Sequence, residues 1–192
     1  VKEIMVALAC LWAVPVIAEP MLRPPDEARL DGFDAALGAS LRNALAEGAA
    51  EDVRTLASVL AGLPGDVAPE GTWSCRTIKL GGAPALTVYG AFRCRIEADG
   101  NGWRIVKETG SQRLEGFIRR EGDRWIYLGV GFVDGGPATD YAGLPAKDQT
   151  PVEPGQTVAQ IGVFEQMSPT RARLLLPSPI LESGFDILYL TR

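Results

Sequence analysis

The chain has 192 residues, of which 46% are hydrophobic and 22% charged, a composition that fits one globular domain of ordinary size. Its net charge of −5 and pI near 4.9 supply no basic footprint for nucleic acid or an anionic membrane face. It contains no histidine, which removes the usual general base at neutral pH, the commonest metal ligand and the middle member of Ser-His-Asp and Cys-His sites.

Residues 4–17 form an apolar run between Lys2-Glu3 and Ala18-Glu19. The run is shorter than the ~20 residues of a membrane span and matches the apolar core of a secretory signal. Val16 and Ala18 place small side chains before a cleavage at Ala18-Glu19, just after the helix-breaking Pro15. Residues 1–18 are therefore expected to be a signal peptide, leaving no stable membrane span after cleavage and a periplasmic or secreted chain. Cys10 follows Ala7-Leu8-Ala9, a loose likeness to a lipobox with little signal before it, and is expected to leave with the signal.

Residues 19–65 read as a helical lead-in. Leu30, Phe33, Leu37, Leu41 and Leu45 recur at three- and four-residue spacing and draw one apolar stripe. Asp26 after Pro24-Pro25 is the expected N-cap and Gly48 the expected stop. Val53, Leu56, Val59 and Leu60 continue the pattern on a second helix that ends at Gly62-Leu63-Pro64-Gly65. The expectation is an amphipathic helical hairpin docked on a larger body.

A β-barrel domain is expected over residues 66–192, and after Gly71 the period becomes two. Eight strands are expected over 72–80, 86–98, 103–109, 112–120, 124–133, 157–166, 170–176 and 185–191. Asp99-Gly100-Asn101-Gly102 and Glu121-Gly122-Asp123 are hairpin turns, so neighbours run antiparallel. Eight such strands suit a closed barrel, a mainly β fold without exposed edges. Residues 134–156 are too long for a hairpin and are expected to cover one barrel mouth. The strand 124–133 is apolar on both faces, with the helices as its expected outer cover. Gly129 and Gly131 on one of those faces point to close approach of another group.

Two cysteines, Cys75 and Cys94, survive removal of the signal. Cys75 shares a strand face with Trp73 and Thr77, and Cys94 shares one with Phe92 and Ile96. Both sulfurs therefore point inward, and an oxidising compartment favours one structural disulfide between them.

Gly71-Thr72-Trp73 resembles the Gly-x-Trp start of lipocalin-like barrels, in which the tryptophan closes the barrel base beneath a late arginine. That resemblance implies barrel closure by Trp73 with Arg192, or with Arg171 or Arg173. A wider resemblance rests on the runs Gly71-Thr72-Trp73-Ser74-Cys75-Arg76-Thr77-Ile78-Lys79-Leu80-Gly81-Gly82, Phe92-Arg93-Cys94-Arg95-Ile96 and Lys107-Glu108-Thr109-Gly110-Ser111-Gln112-Arg113. These are similar to an exported proteobacterial family catalogued as domain of unknown function 4893. It implies a periplasmic home and no particular activity.

Lys107, Thr109, Ser111, Gln112 and Arg113 gather where the third and fourth strands meet, and could line a barrel mouth that binds an anionic or sugar-like group. A solvated turn accounts for them equally well. Asp134, Asp140 and Tyr141 could join Glu115 or Glu165 as paired carboxylates for glycoside chemistry. No phosphate loop, dinucleotide fingerprint, zinc spacing or EF-hand pattern is present, so neither cofactor nor metal is expected. The expected role is a non-catalytic barrel that binds a small ligand or a periplasmic protein. Inhibition of a protease-type hydrolase is the rival, because small exported barrels with this start and one disulfide also resemble bacterial protease inhibitors. A carboxylate-based enzyme is the third reading. An internal cavity above ~300 Å³ favours a ligand carrier, and a filled barrel with an exposed apolar loop favours a protein target.

Overall fold

The computed structural model describes residues 22–133 and 135–192; the expected signal peptide, Cys10 and Asp134 lie outside them. Three helices precede the sheet: α1 (Pro24–Asp31), α2 (Phe33–Glu47) and α3 (Ala50–Leu60). Eight strands follow: β1 (Gly71–Leu80), β2 (Leu86–Asp99), β3 (Gly102–Lys107), β4 (Gln112–Glu121), β5 (Arg124–Val133), β6 (Val158–Ser168), β7 (Arg171–Pro177) and β8 (Phe185–Thr191). Each pairs antiparallel with the next, and β8 returns to β1 to close the barrel. Closure satisfies the backbone groups of both outer strands, which would otherwise be open edges.

The helical region differs from a two-helix hairpin because Gly32 interrupts the first stripe. Its amide bonds back to Ala28, and α2 starts afresh at Phe33. The N-cap of α1 is Arg23, which leaves Asp26 inside the helix with no surface exposed. The stripe also ends sooner than its period implies. Leu45 is 60% exposed, and Ala44 takes the buried position against the sheet among Leu56, Val59, Ile78 and Leu86.

Alternation assigns the two sheet faces. Trp73, Cys75 and Thr77 point inward on β1, while Ile78 and Leu80 point outward against Ile187 and Phe185 of β8. Ala44, Leu56 and Val59 of the helices cover that outer patch. The inner core is packed by Trp73, Ile96, Ile105, Ile118, Tyr127, Phe164, Leu174 and Leu188, all buried. Each such side chain contributes roughly 1.5–3 kcal/mol when fully buried.

The face of β5 bearing Ile126, Leu128 and Val130 is covered by Leu30 of α1 together with Tyr141 and Leu144. The 134–156 loop therefore lies chiefly against the outside of β5 and β6, not across a mouth as its length suggested. Tyr141 and Leu144 are buried there, and two apolar anchors on the outer wall hold the loop down. On the inner face, Gly129 and Gly116 admit the ring of Tyr127: a Cβ on Gly129 would stand 2.3 Å from the Tyr127 hydroxyl.

Cys75 and Cys94 form the expected disulfide, with Cα atoms 5.9 Å apart. In the β1–β2 register Cys75 faces Phe92 and Cys94 faces Trp73, so the bridge runs diagonally across the pair. Closing this loop stabilises the fold by about 3 kcal/mol in the chain-entropy account.

Candidate functional site

One mouth of the barrel is polar. Lys79 of β1, Lys107 of β3, Gln112 of β4, Gln160 of β6 and Asp186 of β8 meet there around two small cavities of about 80 and 40 Å³. Lys107 is 4% exposed. Its ammonium donates to the carbonyls of Thr109 and Gln112 and sits 3.9 Å from the Phe92 ring centre. Burial, with Arg113 and Lys79 adding repulsion, nonetheless pushes its pKa down to about 8. Asp186 is buried in the opposite wall and accepts a 2.6 Å hydrogen bond from Ser183. Burial raises its carboxyl to about 6.

A latch spans this mouth. Glu182, on the β7–β8 loop, pairs with Lys79 and accepts from the Gln112 amide at 3.2 Å. The Lys79 ammonium, then Gln112, holds the Glu182 carboxyl below its usual range. The Gln160 Oε1 is buried without a partner among the described residues.

Of the five residues expected here, Lys107, Gln112 and Arg113 line the cavities. Thr109 and Ser111 do not. Thr109 spends its hydroxyl accepting from the Arg93 amide, and Ser111 is exposed on the turn. Lys79, Gln160, Glu182 and Asp186 were missed, although alternation from Trp73 and from Leu188 puts Lys79 and Asp186 on inward positions.

The opposite end is closed by aromatic rings. Trp73 is buried, its indole donating to Pro69 O at 2.7 Å. The Arg192 guanidinium lies 4.1 Å from the Trp73 ring centre and donates to the carbonyls of Glu70 and Pro169. Gly71 has a φ of +126°, and a Cβ there would come within 2.9 Å of Arg192, so both glycine and tryptophan of the Gly-x-Trp start serve one contact. Arg171 and Arg173 take no part in it. They point outward and donate to the carbonyls of Ser58, Val59, Leu60 and Ala61 at the end of α3.

A larger cavity than those at the mouth lies outside the barrel. A groove of about 530 Å³ runs between α3 and the outer faces of β1 and β8. Arg54, Thr55 and Ser58 form its helical wall; Ser74, Arg76 and Tyr189 form its floor. These residues come from segments far apart in the chain, and no local motif announces the site.

The carboxylates weighed for glycoside chemistry are tied up separately. Glu115 pairs with Arg104 at 2.9 Å and Glu165 with Arg173 at 2.6 Å, both on outward positions. Asp140 and Tyr141 share a cavity of about 80 Å³ with Glu115, but the Tyr141 hydroxyl donates to Asp26 at 2.8 Å. Burial pushes that hydroxyl up to about 12. Among the described residues no group of three or more metal-ligating side chains converges, and no helix is long and apolar enough to cross a membrane.

No curated protein matches the chain, and no solved structure matches it. The family model described as "Domain of unknown function (DUF4893)" matches residues 19–190, and the chain belongs to that family.

Proposed function

We propose that this chain is an exported, non-catalytic binding protein in which the barrel is a rigid scaffold and recognition takes place on its outer surface. One contrast carries the reading: the barrel interior is filled with side chains, leaving about 80 and 40 Å³ at its mouth, whereas the outer groove offers about 530 Å³. Small-molecule sites commonly occupy ~300–1,000 Å³. Export is supported by the apolar run at residues 4–17 and by the disulfide, which persists in oxidising compartments.

Native mass spectrometry of the protein purified from a bacterial periplasm tests this. The expected result is a co-purifying mass that is lost when Ser58→Trp fills the groove. Retention of that mass by the filled-groove variant, with loss on substitution at the mouth, overturns the outer-surface reading. Fractionation tests export: the chain is expected in the periplasm, and in the cytoplasm once residues 1–18 are deleted.

Hydrolase inhibition is favoured by a separate observation. Leu63 is 87% exposed on a segment whose flanks are fastened to the barrel. Arg171 and Arg173 hold the carbonyls before it, and the amides of Gly65 and Ala68 donate to Gln166. A fastened loop loses little freedom on binding, which favours insertion of its apolar tip into a partner's pocket. Leu63→Glu is expected to leave the fold intact and abolish inhibition of a hydrolase with an apolar specificity pocket. Undiminished inhibition by this variant, or no inhibition by the parent, counts against this second reading.

A further inference from the structure

Resting on the outer-groove reading, we infer that the groove between α3 and the β1–β8 pair is a binding site for a small ligand carrying a phosphate or carboxylate, held by Arg54 and Arg76.

The cations of this protein are mostly spoken for. Arg93 and Arg95 pair with Glu108, Arg104 with Glu115, Arg119 with Asp99 and Arg173 with Glu165. Arg54 and Arg76 line one groove, and among the described residues neither guanidinium has an ion pair, hydrogen bond or ring contact. Two guanidinium groups facing a shared cleft repel each other, and an oxyanion between them converts that repulsion into charge-assisted hydrogen bonds.

The floor is polar where its surroundings are not. On the outward faces of β1 and β8 the register sets Ile78 beside Ile187 and Leu80 beside Phe185, and these residues are buried beneath the helices. Farther along the same strands it sets Arg76 beside Tyr189 and Ser74 beside Thr191. The change occurs where α3 stands over the strands with Arg54, Thr55 and Ser58 turned to the cleft. A helix that faced water alone would explain those three side chains, but here they wall a cavity.

The hydroxyls suit an oxyanion. Tyr189 accepts a 2.9 Å hydrogen bond from Arg171, which leaves its own hydrogen free to donate. Ser58 and Ser74 contribute further hydroxyl donors. Glu51 also lines the groove. One carboxylate against two guanidinium groups leaves the cleft with an excess of positive charge in a chain whose net charge is −5.

The test is an amide-resolved NMR titration of residues 19–192 at constant ionic strength, with inorganic phosphate, citrate and uncharged glucose as probes. Saturable shifts are expected for phosphate or citrate at residues 54–58, 74–76 and 189–191. Arg54→Ala and Arg76→Ala should each weaken that binding about tenfold or more, the scale of losing hydrogen bonds to a charged group. Arg124→Ala, at an exposed arginine outside the groove, should not. Dispersed spectra of the variants establish that they fold.

Shifts in the groove from glucose alone overturn the oxyanion inference and leave the outer-groove reading standing. Anion-induced shifts confined to Lys79, Lys107 and their neighbours overturn both. The inference also fails if both arginine variants keep the parent affinity, or if neither anion shifts the groove at tens of millimolar.

Discussion

The Arg192 guanidinium stacks on the Trp73 ring at 4.1 Å, so the residue that follows β8 seals the base of the barrel against its first strand. Arg192 itself is exposed, and a cation–π contact in such a setting contributes about 0.5–1 kcal/mol. Its hydrogen bonds to the carbonyls of Glu70 and Pro169 add a comparable amount. Arg192→Ala is expected to lower unfolding free energy by about 1–2 kcal/mol in urea titrations. Trp73→Ala, which empties a buried site, should cost about 3–5 kcal/mol. Equal stability of parent and Arg192→Ala contradicts this role.

The Cys75–Cys94 disulfide is buried at both ends, with 1% and 0% exposure. Reductant should therefore leave it intact in the folded protein and cleave it readily once urea opens the barrel. Cys75→Ala/Cys94→Ala is expected to lose about 3 kcal/mol. Thiol titration of residues 19–192 in denaturant without reductant should find no free sulfhydryl, and two free thiols would contradict the bridge.

How much of this was legible differs from element to element. The strands and their antiparallel order were readable because alternation and Gly-containing turns are local signals, and the same alternation pointed both cysteines inward. The break at Gly32 was not, since Phe33 and Leu37 keep the helical period across it. The seating of the 134–156 loop depends on Tyr141 and Leu144, two buried anchors in a stretch without periodicity. The groove was invisible for another reason: Arg54, Arg76 and Tyr189 become neighbours only when α3 folds over the β1–β8 seam.

A buried ionic cluster also escaped the sequence reading, where Asp26 passed for an N-cap. Asp26 is wholly buried and accepts from Arg23 at 2.7 Å, Arg29 at 3.0 Å and Tyr141 at 2.8 Å. Arg23 also reaches Pro145 O, while Arg29 reaches Ala159 O and Pro177 O. One carboxylate thus joins α1 to the long loop and to β6 and β7. The Arg23-x-x-Asp26-x-x-Arg29 spacing was the available clue. Asp26→Ala leaves two arginines buried without a counter-charge and is expected to cost about 3–5 kcal/mol. Tyr141→Phe removes two hydrogen bonds, the one donated to Asp26 and the one accepted from the Arg23 amide, and should cost about 2–3 kcal/mol. Thermal and urea unfolding check the ranking, and a smaller loss for Asp26→Ala contradicts it.

The polar mouth gives stability a pH signature of two opposite signs. Asp186 has a folded pKa of about 6 against 3.8 ordinarily, so the folded state binds more protons between these values. Its stabilising contribution is complete below about pH 4 and is lost as pH rises through 6. Lys107 is shifted the other way, to about 8 from 10.5. There the folded state binds fewer protons, and stability rises as pH climbs from 8 to 10.5. Asp186→Asn should therefore stabilise the protein by about 1–3 kcal/mol at pH 7.5 and change it little at pH 4. Lys107→Met should remove the rise above pH 8. Urea midpoints measured from pH 4 to 10.5 check both. If Asp186→Asn shifts stability equally at both ends of that range, its effect comes from altered packing and the carboxyl is not held protonated by burial.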